Sequence, residues 1–312
     1  MNFQTQIPLT KQKHNQISYQ SKLLLLGSCF SENIGDKLDY YKFQSKQNPL
    51  GILFHPKAIE SLITKAINEE KYTGKDILFH NERWHSFEAH SSLSTSDKDE
   101  LLNNLNSLIQ QTFQQLRNAT HLIITIGTAW VYREITSDTL VANCHKIPQK
   151  KFSKELLTVE EISESMKAIN SLVKSINKNI TIIYTVSPVR HLKDGFIENQ
   201  RSKAHLLSAI HQVVEPRNSF YYFPSYEIMM DELRDYRFYN EDMIHPNKTA
   251  VNYIWEKFKE VWITEKSSQT MLEIETIQRS LNHKPFNPNS EAHQLFLKKL
   301  QQKKETLLQA FP

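Results

Sequence analysis

Two short segments, more than two hundred residues apart, hold side chains that together can move an acyl group. Ser28 and Cys29 lie in Gly27-Ser28-Cys29-Phe30-Ser31; Asp242 and His245 lie in Asp242-Met243-Ile244-His245-Pro246. Acyl transfer needs a nucleophile, a base beside it, a group that orients the base, and N–H donors for the developing oxyanion. Cys29 is the stronger nucleophile of the first pair, because a small thiolate fraction exists near neutral pH. A helix opening just after it would lower its pKa further. His245 supplies the base and Asp242 the carboxylate that fixes its tautomer. Taken singly, a thiol after a strand is a small buried hydrophobe, and an acid and an imidazole before a proline are an ordinary turn. Chemistry is favoured only if both segments end strands of one sheet.

The surrounding pattern supplies such a sheet. Leu23–Leu26 is an apolar run that stops at Gly27, and helical spacing resumes over 31–40. Gly27 and Gly35 permit a tight strand-to-helix turn and close backbone approach. Strands are predicted at 22–26, 121–126, 180–185 and 219–222. The middle two are almost continuously apolar and β-branched, as strands covered on both faces should be. Helices are predicted at 31–40, 57–69, 97–118, 157–177, 200–214 and 247–263, the last opened by Pro246. The alternation predicts an α/β fold with a mainly parallel sheet and helices on both faces. In such sheets chemistry sits at the C-terminal ends of the strands. Residues 130–146 break the rhythm; 131–134 and 139–142 read as a hairpin across Thr136-Ser137-Asp138, carrying Asn143, Cys144 and His145 to the same rim. Residues 1–20 read as a polar arm. The expected organisation is a domain over 1–263 and a helical extension over 264–312, where Leu295, Leu297, Leu300, Leu307 and Leu308 recur at helical spacing. That amphipathic face offers a surface for a homodimer.

Composition narrows the function classes. Hydrophobic residues make up 39% of the 312, enough to fill a core, which argues against disorder. Lys and Arg number 38 against 34 Asp and Glu, with only short pairs such as Lys150-Lys151. No basic stripe alternates with aromatics, so a nucleic-acid partner is not expected. Two cysteines, neither in a C-x-x-C pair, are too few for a disulfide framework and fit a reducing, cytoplasmic setting. The N-terminus has no signal-peptide pattern, and the Leu23–Leu26 run is too short to span a membrane. A soluble, unprocessed chain without a membrane partner is expected.

The segment Gly27-Ser28-Cys29-Phe30-Ser31 resembles the signature of the GSCFA family, with Ser31 in place of the final Ala. Further stretches resemble that family: Asn48-Pro49-Leu50-Gly51, Gly127-Thr128-Ala129-Trp130-Val131-Tyr132, Asn143-Cys144-His145-Lys146, Ser187-Pro188-Val189-Arg190-His191 and Asp242 to Pro246. They span roughly residues 1–262 and leave the tail out. The family is similar to the SGNH (GDSL-like) hydrolases, which implies a three-layer, flavodoxin-like α/β/α sandwich and ester chemistry without a cofactor. On that resemblance Cys29 falls on the nucleophile's place, with Ser28 as its neighbour. Gly51 matches the second-block oxyanion glycine, and Asp242 and His245 match the last block in full. The third-block asparagine is missing, since Ala129 follows Gly127-Thr128; Asn48 or Asn143 is its expected substitute.

The expected function is therefore an acyl esterase or acyltransferase acting on a small-molecule or glycan ester. The alternative is a non-catalytic protein on the same scaffold, binding a glycan or small ligand. Trp130, Asn143, His145, Arg190 and His191 are the expected substrate-binding residues, weighed against core packing for Trp130 and a surface ion pair for Arg190 and His191. Cys144-His145 with Cys29 and His245 is a poor zinc set, because adjacent ligands lack the usual paired spacing. Trp84, His85, His90 and Ser91–Ser94 read as a solvated loop rather than a lid.

Overall fold

A computed structural model describes residues 5–310. Strand β1 (Lys22–Gly27) hands over to α1 (Cys29–Tyr40), and β2 (Gln44–Gln47) precedes α2 (Pro56–Ile67). A small hairpin, β3 (Leu78–His80) and β4 (Arg83–His85), leads to α3 (Lys98–Asn118) and β5 (His121–Ile126). Strands β6 (Trp130–Glu134), β7 (Thr139–Val141) and β8 (Phe152–Leu156) form a separate antiparallel sheet. Then come α4 (Val159–Ile176), β9 (Thr181–Val186), α5 (Phe196–Val213), β10 (Phe220–Tyr222), the short α6 (Ser225–Glu227), α7 (Lys248–Trp262), α8 (Glu265–Leu281) and α9 (Glu291–Ala310).

The central sheet has the order β10-β9-β5-β1-β2, and every pair in it is parallel. Its three inner strands, β1, β5 and β9, are buried on both faces. Leu24, Leu26, Leu122, Ile124 and Ile182 face a core built with α2, α3, α4 and α5, and Leu23, Leu25, Ile123 and Ile183 face a second core with α1, α7 and α8. The result is the expected three-layer α/β/α sandwich. The chain leaves β1 for β2 on one side and returns to β5 on the other. The switch point of the sheet, where such folds open a crevice, therefore lies between the ends of β1 and β5.

The four predicted strands all form. Strand β2 was not predicted: Gln44-Ser45-Lys46-Gln47 is a polar edge strand without an apolar face to betray it. The hairpin forms with Tyr132 opposite Val141 and Glu134 opposite Thr139, and the unpredicted β8 pairs along the other side of β6. Asn247, not Pro246, caps α7, its Oδ1 accepting the Ala250 N–H at 3.1 Å. The segment expected as a solvated loop is instead packed. His85 and Ser94 are buried, and Ser94 Oγ bonds His85 Nδ1 at 2.6 Å. In the tail, Met271, Ile274 and Ile277 of α8 are buried, and Met271 and Ile274 belong to the core shared with α1 and α7. Leu300 of α9 is buried while Leu295, Leu297 and Leu308 are exposed. Among the described residues, no helix is long and apolar enough to cross a membrane.

Candidate active site

The turn after β1 is built for close approach. Gly27 has φ +133°, and a Cβ there would lie 2.0 Å from the Thr125 carbonyl oxygen, so no other residue fits without moving β5. Ser28 N–H then bonds that same carbonyl at 3.0 Å. Ser28 is the N-cap of α1: its side chain accepts the Phe30 N–H at 3.3 Å, and it is fully buried. Cys29 is the first helical residue and lines a cavity of about 470 Å³ at the rim of the sheet. Ser28 is thus a buried cap, and Cys29 is the member of the pair that reaches the cavity.

The thiol's environment differs from the sequence expectation. Burial raises its pKa, and Glu32 in the same helical turn raises it further. The N–H groups of Cys29 and Phe30 and the ammonium of Lys203 pull it down, but they do not win. A helix start alone thus does not make a low-pKa cysteine when the sulfur is also desolvated.

His245 lines the same cavity as Cys29. Its Nδ1 lies 2.6 Å from Asp242 Oδ2, while Asp242 Oδ1 accepts the N–H groups of Ile244 (2.8 Å) and His245 (3.0 Å). Those bonds hold the Asp242 carboxyl down at about 2. The carboxylate fixes the ring so that Nε2 is the nitrogen left for proton transfer. The segment carrying the pair is clamped by Arg190. Arg190 N–H bonds the Ile244 carbonyl and Nη1 bonds the Met243 carbonyl, both at 3.1 Å. The guanidinium also sits within 5.3–5.8 Å of the Phe196, Tyr236 and Tyr239 ring centres.

Trp130, Asn143, Arg190 and His191 line this cavity too; His145 does not. His145 is buried beneath it, with Nε2 at 2.6 Å from the Ser86 carbonyl and Nδ1 at 2.9 Å from Ser91 Oγ. Burial drives it down to about 4, which leaves it a neutral strut. Gly51 and Asn48 are also away from the cavity. The Gly51 N–H is donated to the Asn48 carbonyl at 2.7 Å, and Asn48 Oδ1 accepts the Gly27 N–H at 2.9 Å. They brace the turn under Cys29, and neither has a free donor facing the sulfur's cavity. Asn143 is different. Its Oδ1 accepts the His145 N–H at 2.9 Å, which turns its amide N–H₂ away from that bond. Trp130 Nε1 donates to the Glu198 carbonyl at 3.1 Å, and Lys154 lies 4.5 Å over its ring. His191 packs edge-on against Phe54, and burial first, then Lys203 and His245, push its pKa down to about 3. Its Nε2 is buried without a hydrogen-bond partner, against Gly127.

One residue of this rim escapes sequence reasoning. Lys203 of α5 is 2% exposed, and its Nζ donates to the carbonyls of Gly127 (2.7 Å) and Ser187 (2.8 Å). The signal was its position: it shares the inward face of α5 with Asn199, Leu206 and Ile210, where a lysine is out of place. Among the described residues, no group of three His, Cys, Asp or Glu side chains is arranged to hold a metal ion.

A second cavity of about 280 Å³ adjoins the first through Arg190 and Leu192.

Comparison with known families follows the same residues. The model of the GSCFA family matches residues 22–258, which include every residue of the cavity. The model described as the GSCFA domain protein, C-terminal domain, matches residues 274–312, so the tail that the sequence resemblance left out is itself part of a recognised unit. No curated protein matches the chain.

Proposed function

Because the chain belongs to the GSCFA family, whose signature segment here forms the turn at the cavity, we propose that it is an SGNH-like acyl-ester hydrolase or acyltransferase working through Cys29, His245 and Asp242. The observation that carries this reading is the meeting of Cys29 and His245 in one cavity, with Asp242 2.6 Å behind the imidazole.

The chemistry runs as follows. His245 Nε2 takes the proton of the Cys29 thiol, and the resulting thiolate attacks the ester carbonyl; a C–S bond forms and the carbonyl π pair moves to oxygen. The Cys29 N–H, at the first position of α1 where no carbonyl of the helix precedes it, and the Asn143 amide N–H₂ are donors for that oxyanion. The oxygen's pair returns, the C–O bond to the alcohol breaks, and the departing alkoxide takes a proton from His245 Nε2. His245 then removes a proton from water or from an acceptor hydroxyl, which attacks the thioester and releases the Cys29 thiolate. A thioester is a good acyl donor, so transfer to an acceptor other than water is part of the proposal. Trp130, Arg190 and His191 shape the cavity on its substrate side.

The alternative, a ligand-binding protein on this scaffold, has one observation in its favour. Ala129, at the third-block asparagine's place, is fully buried and donates only its backbone N–H, to Ser202 Oγ at 2.7 Å. One experiment separates the two. Short-chain aryl esters and thioesters are mixed with the protein, and intact mass is followed. A single acyl adduct that maps to Cys29, and that disappears in Cys29→Ala and fails to form in His245→Ala, is expected. No adduct with any ester supports binding without turnover.

A further inference from the structure

Lysine is rarely buried without an acid beside it, because an uncompensated ammonium in the interior is expensive. Lys203 is such a lysine. It is 2% exposed, and among the described residues no Asp or Glu lies within ion-pair distance of its Nζ. Two of its three N–H bonds go to the carbonyls of Gly127 and Ser187, just past the ends of β5 and β9. The rest of the head lies 5.5 Å over the Tyr226 ring. Two neutral carbonyls and a ring partly replace water, but they supply no counter-charge. The carbonyls belong to the same rim as Cys29: Gly127 follows the strand whose Thr125 carbonyl holds Ser28. Gly127 also packs directly on the turn that carries Cys29: a Cβ on it would lie 3.4 Å from Ser28 Cβ, so the ammonium 2.7 Å from the Gly127 carbonyl sits behind the residue that precedes the thiol, and Cys29 is the acidic group near enough to face it.

We propose that Lys203 is the positioning residue for the Cys29 thiolate, a buried counter-charge fixed by the Gly127 and Ser187 carbonyls that turns a desolvated thiol into a usable nucleophile. Burial lowers the ammonium to about 7, and the thiolate holds it up against that fall, so the two groups stabilise each other's charge. The other groups around the sulfur do not do this. Glu32 of α1 repels a thiolate. His191, on the loop after β9, and His55, at the start of α2, are kept neutral by burial. Arg190, Lys193 and Asp194 of that same loop, Cys144 beyond β7 and His245 also line the cavity. The inference deepens the acyl-transfer reading but can be tested apart from it, since alkylation of a thiol needs no ester.

The test is the pH profile of iodoacetamide alkylation of Cys29 in the full chain, followed by intact mass and peptide mapping. Lys203→Met removes charge and hydrogen bonds; Lys203→Gln removes the charge and keeps an amide N–H₂ for the carbonyls. Both are expected to slow alkylation at pH 7 about tenfold or more and to move the half-maximal pH up by about one unit or more. All three proteins should converge above that midpoint, where every thiol is ionised. A Lys203→Gln profile that superimposes on the wild type overturns the proposal and leaves Lys203 a brace between strand ends. If neither variant folds, Cys29→Ala tests the pair from the other side. Its Lys203 ε-carbon NMR titration should have a lower midpoint than in the wild type, and an unchanged midpoint overturns the pairing. Esters that leave no adduct while these shifts appear would sink the acyl chemistry and keep the pair.

Discussion

Two thiols line one cavity, and their surroundings are opposites. Cys144 stands beyond β7 on the wall made by the inserted sheet; burial raises it to about 11, and nothing pulls it back. Cys29 stands on the wall made by the central sheet. It is desolvated and also faces Glu32, yet it has N–H groups of its own helix turn and a buried ammonium working the other way. Partial burial is common to both. What separates the two thiols is the set of groups that favours the charged form against desolvation. The central sheet can supply that set because parallel strand ends, a helix start and an inward-facing lysine converge there. The insertion offers only a loop.

The largest effects should break the symmetry between the two walls outright. Cys29→Ala and His245→Ala are each expected to reduce turnover of an aryl ester by a factor on the order of 10⁶, as loss of a member of a concerted set does. Cys144→Ala should leave kcat/KM within about threefold, because no step uses that sulfur. Equal losses from Cys29→Ala and Cys144→Ala would dissolve the distinction. Asp242→Asn should come next, at about 10³- to 10⁴-fold in kcat, since the amide no longer favours the tautomer that presents a basic Nε2. The Asp242 carboxyl is held at about 2. It stays ionised throughout an assay range of about pH 4 to 9, and an acid limb of the rate profile in that range must come from another group.

A smaller effect sharpens the contrast without mutation. Limiting iodoacetamide at pH 8 should modify Cys29 at least about tenfold faster than Cys144, because alkylation follows the thiolate fraction. Peptide mapping after partial reaction reads the ratio directly, and preferential labelling of Cys144 would invert the assignment of the two walls.

Much of the cavity was legible in the sequence because its main parts are local. The Leu23–Leu26 run stopping at Gly27 fixes strand, turn and helix start within a few residues, and Asp242 with His245 forms its hydrogen bonds inside a single turn. What failed were inferences that needed a neighbour in space. Gly51 and Asn48 sit near the turn, as expected, but the Gly51 N–H is spent on the Asn48 carbonyl and the Asn48 amide N–H₂ on the Glu32 carboxylate, bonds that no spacing announces. His145 looks identical in sequence to a ligand-facing histidine; only packing under the Ser86–Ser91 segment makes it a strut. The lowered thiol pKa expected from a helix start was overruled by burial and by Glu32, which comes from the next positions of the same helix. Lys203 was visible as a lysine on an apolar stripe, yet its meaning depends on two carbonyls reached across the fold.

The weakest expected effect concerns how the inserted wall is fastened to the body. His55 caps α2 through Nδ1, which accepts the Ala58 N–H at 3.2 Å, while its Nε2 lies 3.1 Å from the Val141 carbonyl of β7. One neutral tautomer satisfies both bonds: Nε2–H donates and Nδ1 accepts. Protonation adds a hydrogen at Nδ1 and ends the cap. Burial accordingly lowers His55 to about 4 against an ordinary value near 6.5. The unfolded chain therefore binds this proton first as pH falls. The stability contributed by neutral His55 is whole above about 6.5 and is lost progressively towards 4, at up to about 1.4 kcal/mol per pH unit. His55→Asn keeps a capping oxygen and cannot titrate. Its unfolding free energy in urea should lie within about 1 kcal/mol of the wild type at pH 7.5 and should fall less steeply between pH 6.5 and 4. His145 and His191, lowered to about 4 and about 3, continue to contribute to the slope. Identical slopes for variant and wild type would show that the fastening of the insertion does not depend on the charge state of His55.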